Sequence, residues 1–208
     1  MAIKEVPNYV DEIRAKLKND NKYVPQKDLE WAVDVILRHN NCPDWPIDAQ
    51  KLAENLGFDI YETIFPKGTI GAMVDAGEPI GDIKSLRYIL TDKQSDILRK
   101  IGTIAHELGH FFIDCDGEHE FYETRPLNLY KIDPQKKIKE ENANRFKDAL
   151  LMPENSLKAF VNGRKGKRWG DVLQEIKYNF VVPSHTARER LEQMMNETIN
   201  DEDRCRGV

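Results

Sequence analysis

The stretch from Ile101 to Asp114, IGTIAHELGHFFID, holds two histidines four residues apart, with a glutamate directly after the first. On a helix, positions four apart share a face, one turn above the other. His106 and His110 can therefore aim at one metal ion, and Glu107 stands close enough to act on a water molecule held there. This H-E-x-x-H spacing is a zinc metalloprotease pattern, in which the histidines ligate and the glutamate serves as general base. A catalytic zinc takes three protein ligands and keeps its fourth position for water. The two histidines thus require a partner elsewhere in the chain.

One way to complete such a site is a third histidine six residues on, with glycine midway. Here those positions are Asp116 and Ile113, so that solution is excluded. The other is a glutamate from a second helix, and KEENANRFKDALLMP supplies one. Its apolar face is Ala143, Phe146 and Leu150, with Leu151 at the edge. On a 3.6-residue wheel Glu140 lies about 70° from the centre of that face and Glu141 about 170°. Glu140 is the acid that can reach an interior cleft, and Glu141 faces solvent. The competing reading of Glu140 is a solvated helix charge. Asn144 stacks one turn above Glu140, where it can hydrogen-bond the far nitrogen of a ligating histidine.

The first helix must also turn its histidines the right way. Ile97, Ile101, Ile104, Leu108 and Phe112 form one stripe, and His106 and His110 fall about 160° from its centre. The aliphatic side packs into a core and the histidines point away from it. The competing reading is an ordinary solvent-facing stripe. Gly109, between the two histidines, costs about 1 kcal/mol in a helix interior. Its presence points to close backbone approach, by a strand or by substrate.

The supporting elements follow from periodicity and punctuation. Amphipathic helices are expected at about 8–18 and 27–40, and a short one from Asp48 to Leu56 ending at Gly57. FDIYETI, TIGAMVD and SLRYILTD read as strands separated by Gly- and Pro-bearing turns. The histidine helix runs from about Ser95 to Asp114, a polar loop covers 115–136, and the second helix spans Ile138 to Met152. Short helices at 154–161, 171–179 and 184–198 complete the chain. Strands first and helices afterwards predict an α+β fold. SLRYILTD, just before the histidine helix, offers an edge to an extended substrate.

Composition bounds the function. The chain has 208 residues, 40% hydrophobic and 32% charged, as in soluble globular proteins. Its 31 basic and 36 acidic residues give −5, so direct nucleic-acid binding is not expected. No secretory h-region opens the chain, and no apolar run is long enough for a transmembrane helix. Cys42, Cys115 and Cys205 form no CxxC pair, consistent with a reduced, cytoplasmic protein. His39 and His119 read as surface histidines and Cys115 as a buried thiol. The basic run KAFVNGRKGKRWG reads as a solvated loop.

AHELGH with a downstream E-x-x-A-N-x-F and LLMP resembles the ImmA/IrrE family of metallo-endopeptidases. Glu140, Ala143, Asn144, Phe146 and Leu150 to Pro153 carry the second motif, and WPIDAQKLAENLGFDIYE resembles the usual lead-in. The likeness covers roughly residues 45–195. It departs at LRKIGTIA, where the family is richer in Arg and Phe, and at Lys147, often Ala. The resemblance implies a zincin-like catalytic core with a small antiparallel or mixed sheet, the HExxH helix and the Glu-bearing helix. Residues 1–45 would form an N-terminal helical segment, 46–162 the core, and 163–208 a helical, helix-turn-helix-like tail. His106, His110 and Glu140 would bind zinc (Zn2+, with manganese as the alternative ion), and Glu107 would be the catalytic acid and base. Tyr122, Tyr130, Arg125 and His185 are the candidates for oxyanion stabilisation, unranked. In the tail, Glu189 and Glu192 offset Arg188 and Arg190, which argues for a packing or partner module over a DNA reader.

Two function classes stay open. One is a zinc endopeptidase that cleaves a helix-turn-helix transcriptional repressor, an anti-repressor of the kind carried by a phage or mobile element. The other is a non-cleaving anti-repressor or toxin–antitoxin partner that keeps the metal for stability. Glu107 favours the enzyme, because a structural metal site needs no base.

Overall fold

The computed structural model describes residues 7–18, 22–42, 45–75, 86–115, 120–124 and 133–206, with backbone alone at 120–124 and 196–206. Two helices come first, α1 (Asn8–Leu17) and α2 (Gln26–His39). Asp48 then opens α3 (Ala49–Asn55) by accepting from the Lys51 N–H at 3.0 Å. Gly57 follows with a φ of 90°, the left-handed turn for which its position was read. Strands β1 (Asp59–Thr63), β2 (Gly71–Asp75) and β3 (Arg87–Asp92) precede α4 (Ile97–Ile113), whose N-cap Asp96 accepts from the Arg99 N–H at 2.9 Å. After β4 (Glu120–Thr124) come α5 (Pro134–Leu151), α6 (Glu154–Asn162), α7 (Trp169–Phe180) and α8 (Ser184–Arg206). This is the expected α+β architecture. No helix among the described residues is long and apolar enough to cross a membrane.

The sheet is mixed, in the order β1-β3-β2-β4. β1 runs parallel to β3, with Ile60 opposite Ile89, and β2 runs antiparallel to both β3 and β4, with Met73 opposite Ile89 and Tyr122. Two expectations are corrected here. The segment 115–136 is not all loop, since β4 lies within it. β3 is an interior strand with both edges paired, so it offers no edge to a substrate.

Two further corrections concern helix ends and faces. α5 begins one turn earlier than periodicity suggested. Asp133 caps the Gln135 and Lys136 N–H groups at 3.0 and 3.3 Å, and Pro134 takes the first helical position, where a missing N–H costs nothing. On α4 the buried stripe is Ile104, Leu108 and Phe112, whereas Ile97 is 66% exposed because the first turn projects beyond the core.

One hydrophobic core runs from α1 and α2 through α4 and α5 to α7 and α8. Phe112 of α4 packs on Phe146 of α5 with centroids 5.5 Å apart. Residues 22–26 are strapped onto α5: the buried Asn142 amide accepts from the Val24 N–H at 3.0 Å and donates to the Lys22 carbonyl at 2.8 Å, and Arg145 donates to the Val24 carbonyl. Arg190 is buried; it donates to Glu30 on α2 at 2.5 Å and to the Met152 carbonyl at 3.2 Å. Within the basic run before α7, Arg164 and Lys167 share the Glu175 carboxylate and Arg168 pairs with Asp171.

Candidate metal centre

Where α4 crosses α5, the contact is backbone to backbone. A β-carbon on Gly109 would lie 2.9 Å from the Ala143 Cα and 3.0 Å from its carbonyl oxygen. The close approach expected at Gly109 is therefore real, but what approaches is α5, neither a strand nor substrate. Glu140, three residues before Ala143, is thereby set opposite the two histidines. His106 and His110 point away from the aliphatic stripe as expected, yet α5 covers them, leaving them 4% and 1% exposed.

The ligand atoms lie close together, all within 4.8 Å of one another. His106 Nε2 is 3.1 Å from His110 Nε2 and 3.2 Å from Glu140 Oε2, and His110 Nε2 is 3.4 Å from Glu140 Oε1. A tetrahedral ion with bonds of about 2.0–2.1 Å has ligand–ligand edges of roughly 3.3–3.4 Å. These three side chains could hold a metal ion, and they do so as a buried group. Two imidazoles and a carboxylate are a donor set of the zinc type. Glu141, by contrast, lies on the outer side of α5 and accepts from the Tyr23 hydroxyl at 2.5 Å.

The far side of each ring is held by an oxygen. His106 Nδ1 is 3.2 Å from Asn144 Oδ1, and His110 Nδ1 is 2.7 Å from Asp114 Oδ2. With these oxygens as acceptors, each Nδ1 carries its proton outward and Nε2 is left to the interior. Asn144 sits where the helical wheel placed it. Asp114 was missed, although its spacing of four from His110 put it on the same face; it had been read only as the helix end.

The electrostatics follow from this packing. Burial pushes the His106 pKa below its ordinary value. For His110 burial acts in the same direction, but the Asp114 and Glu140 carboxylates, aided by the charge of Glu107, outweigh it and hold the ring up to about 10. At Glu140 burial is outweighed by the two rings, which hold the carboxyl down at about 2. Glu140 is thus an anion at neutral pH, and a metal ion would replace a proton on His110.

Glu107 is fully buried on the same turn. It fits because β2 begins with a residue lacking a side chain. A β-carbon on Gly71 would lie 3.1 Å from Glu107 Oε1 and 2.2 Å from Thr103 Cγ2. Gly71 was not singled out in the sequence, and nothing local marks it, since its constraint comes from α4.

Tyr122 is on β4, where its backbone pairs with Met73. His185 is exposed at the start of α8, which packs on α7 and α5. Arg125, Tyr130 and His119 lie outside the described residues. His39 is exposed and stacks on Tyr9, and Cys115 is buried.

With this geometry in hand, comparison with known proteins is decisive on ancestry. A model of the IrrE N-terminal-like domain, a peptidase family, matches residues 53–192, more than half of the chain. The chain belongs to this family. Membership gives a metallopeptidase-like fold and role, and the matched span contains all three ligand candidates and Glu107. No curated protein matches. Among solved structures, a Mycobacterium tuberculosis transcriptional regulator superposes with a TM-score of 0.51 at 15% identity. The alignment covers 88% of this chain and 51% of that one, so this IrrE-like chain spans about half the regulator's length. At that identity the likeness speaks for the fold alone.

Proposed function

We propose that the protein is a zinc-dependent endopeptidase that cleaves a partner protein, a helix-turn-helix transcriptional repressor. The observation that carries the reading is the convergence of three donors with a buried acid beside them. A structural zinc closes its shell with four protein ligands. Here three converge among the described residues, His106, His110 and Glu140, and Glu107 is buried on the same turn. When bound, zinc supplies Lewis acidity to the attacking water and the scissile carbonyl. Glu107 takes the proton of that water and returns it to the leaving amine. Asn144 and Asp114 hold the two rings so that Nε2 stays turned inward.

The repressor as substrate is supported by the family resemblance. A backbone must be locally extended to enter such a cleft, so the cut falls in an exposed linker or helix end. Separating DNA binding from dimerisation would release the operator.

The test pairs an operator reporter with a gel for repressor length, using a helix-turn-helix protein encoded beside this gene. Glu107→Gln keeps the shape of the side chain and loses the base. It should retain metal and repressor binding while cleavage falls by about 10²- to 10⁴-fold. Full derepression by Glu107→Gln with the repressor intact would replace the peptidase by a non-cleaving anti-repressor or toxin–antitoxin partner.

A further inference from the structure

Lys147 stands one residue beyond the Phe146 of the second motif and turns towards the metal centre, not into solvent. Its Nζ lies 3.2 Å from Asn144 Oδ1 and 3.3 Å from Asp148 Oδ1, and its side chain is 21% exposed. The same Asn144 oxygen faces His106 Nδ1 at 3.2 Å. We propose that Lys147 is a positioning residue for the His106 ring, acting through the Asn144 amide. This rests on the reading of His106, His110 and Glu140 as metal ligands.

The Asn144 amide has two chemically different ends, one that accepts and one that donates. Asn144 can present oxygen or NH2 to His106 with almost no change of shape. With oxygen presented, the ring must carry its proton on Nδ1, and Nε2 keeps the lone pair a metal needs. With NH2 presented, Nδ1 becomes the acceptor, the proton moves to Nε2, and the ring cannot ligate. Asn144 alone has little reason to choose, and the two other groups at His106 Nε2, Glu140 Oε2 at 3.2 Å and His110 Nε2 at 3.1 Å, bear equally on the native chain and its Lys147 variants. Lys147 supplies a reason, because the flipped amide would set NH2 against an ammonium, donor against donor. Asp148 Oδ1, 3.3 Å away, pairs with the same ammonium. A lysine three residues after the asparagine thus selects the tautomer of a histidine on a different helix.

The sign of the effect separates positioning from plain charge. A nearby cation repels a divalent ion, so on charge alone Lys147→Met would tighten metal binding. Positioning requires the opposite.

Zinc affinity is measured on the full chain by competition with a chromophoric chelator. The His106 tautomer is read at neutral pH from long-range 15N–1H NMR before zinc is added. Lys147→Met should weaken zinc binding about threefold to tenfold, less than loss of a direct hydrogen-bond partner of a ligand. It should also raise the share of Nε2–H in the His106 pattern above that of the native chain, and Lys147→Arg should keep both near native. In an Asn144→Asp background both oxygens accept and no flip exists, so adding Lys147→Met should weaken binding no further. Unchanged or tighter binding in Lys147→Met overturns the proposal, as does an equal loss in the Asn144→Asp background. If the native chain binds no zinc, the metal reading fails. The NMR then decides on its own, with a tautomer shift in Lys147→Met supporting the proposal and an unshifted pattern refuting it.

Discussion

Gly109→Ala should damage the metal centre far more than the fold. The new methyl would sit 2.9 Å from the Ala143 Cα, 3.0 Å from its oxygen and 3.3 Å from its carbonyl carbon. Non-bonded carbons rest at about 3.5–4.0 Å, so α4 and α5 must part locally by roughly 0.6–1 Å. For stability two effects nearly offset. Overpacking costs about 1–3 kcal/mol, and removing a mid-helix glycine returns about 1 kcal/mol. The net is a loss of about 0–2 kcal/mol, or at most roughly 8 °C in melting temperature at this chain length. The site has no such tolerance, because ligand distances must hold within about 0.2 Å. Glu140 and Asn144 flank Ala143 on α5 and would be carried off the histidines together. Zinc affinity, measured by chelator competition, should fall at least about tenfold. Gly102→Ala is the control: a β-carbon there meets nothing within 4 Å, so it should leave affinity intact. A Gly109→Ala protein that binds zinc as tightly as native would refute the claim that this crossing sets the site.

Three further outcomes are expected. Calorimetry in buffers of different ionisation enthalpy should show about one proton released per zinc near neutral pH. It comes from His110, held up to about 10, whereas His106 is pushed below its ordinary value and Glu140 is already ionised. Because the proton competes below that value, affinity should rise about tenfold per pH unit between roughly pH 7 and 9; a flat profile would contradict the assignment. Asp114→Ala removes the acceptor 2.7 Å from His110 Nδ1 and should cost about 10- to 100-fold in zinc affinity, with the fold intact by circular dichroism. Arg190→Met removes the cation beside the largely buried Glu30 carboxylate, which keeps the Gln26 amide and the Glu154 N–H as donors, and should lower stability by about 1–3 kcal/mol in denaturant titration, with no direct effect on the site.

What the sequence made legible and what it hid divide along one physical line. His106, Glu107 and His110 announce themselves because their relation is local, one turn of one helix. Glu140 could be chosen over Glu141 because the helical wheel fixes which acid shares a side with Phe146 and Leu150. Gly109 could be flagged as a place of close approach because glycine inside a helix needs a reason. Its partner could not be named, since Ala143 on α5 is fixed only by how two helices cross. The same limit hid the rest. Gly71 is ordinary on its own strand and becomes obligatory only when Thr103 and Glu107 lie against it. The sequence E-F-Y-E-T of β4 carries little alternation, and its pairing comes from β2, far back in the chain. Arg190 looks like a surface charge until Glu30, 160 residues earlier, is brought beside it. Asp114 and Lys147 belong to a middle case. Each lies within one turn of a residue already singled out, His110 or Asn144, so each was within reach of the local rules. In the sequence Asp114 reads as the helix end and Lys147 as a departure from the family pattern, and neither reading asks what the side chain does to the ligands. In a two-helix metal site the local motif names the first ligands, and the crossing of the helices decides whether the others reach them. The glycine and alanine at that crossing, Gly109 and Ala143, therefore belong to the site as much as the residues that carry its charge.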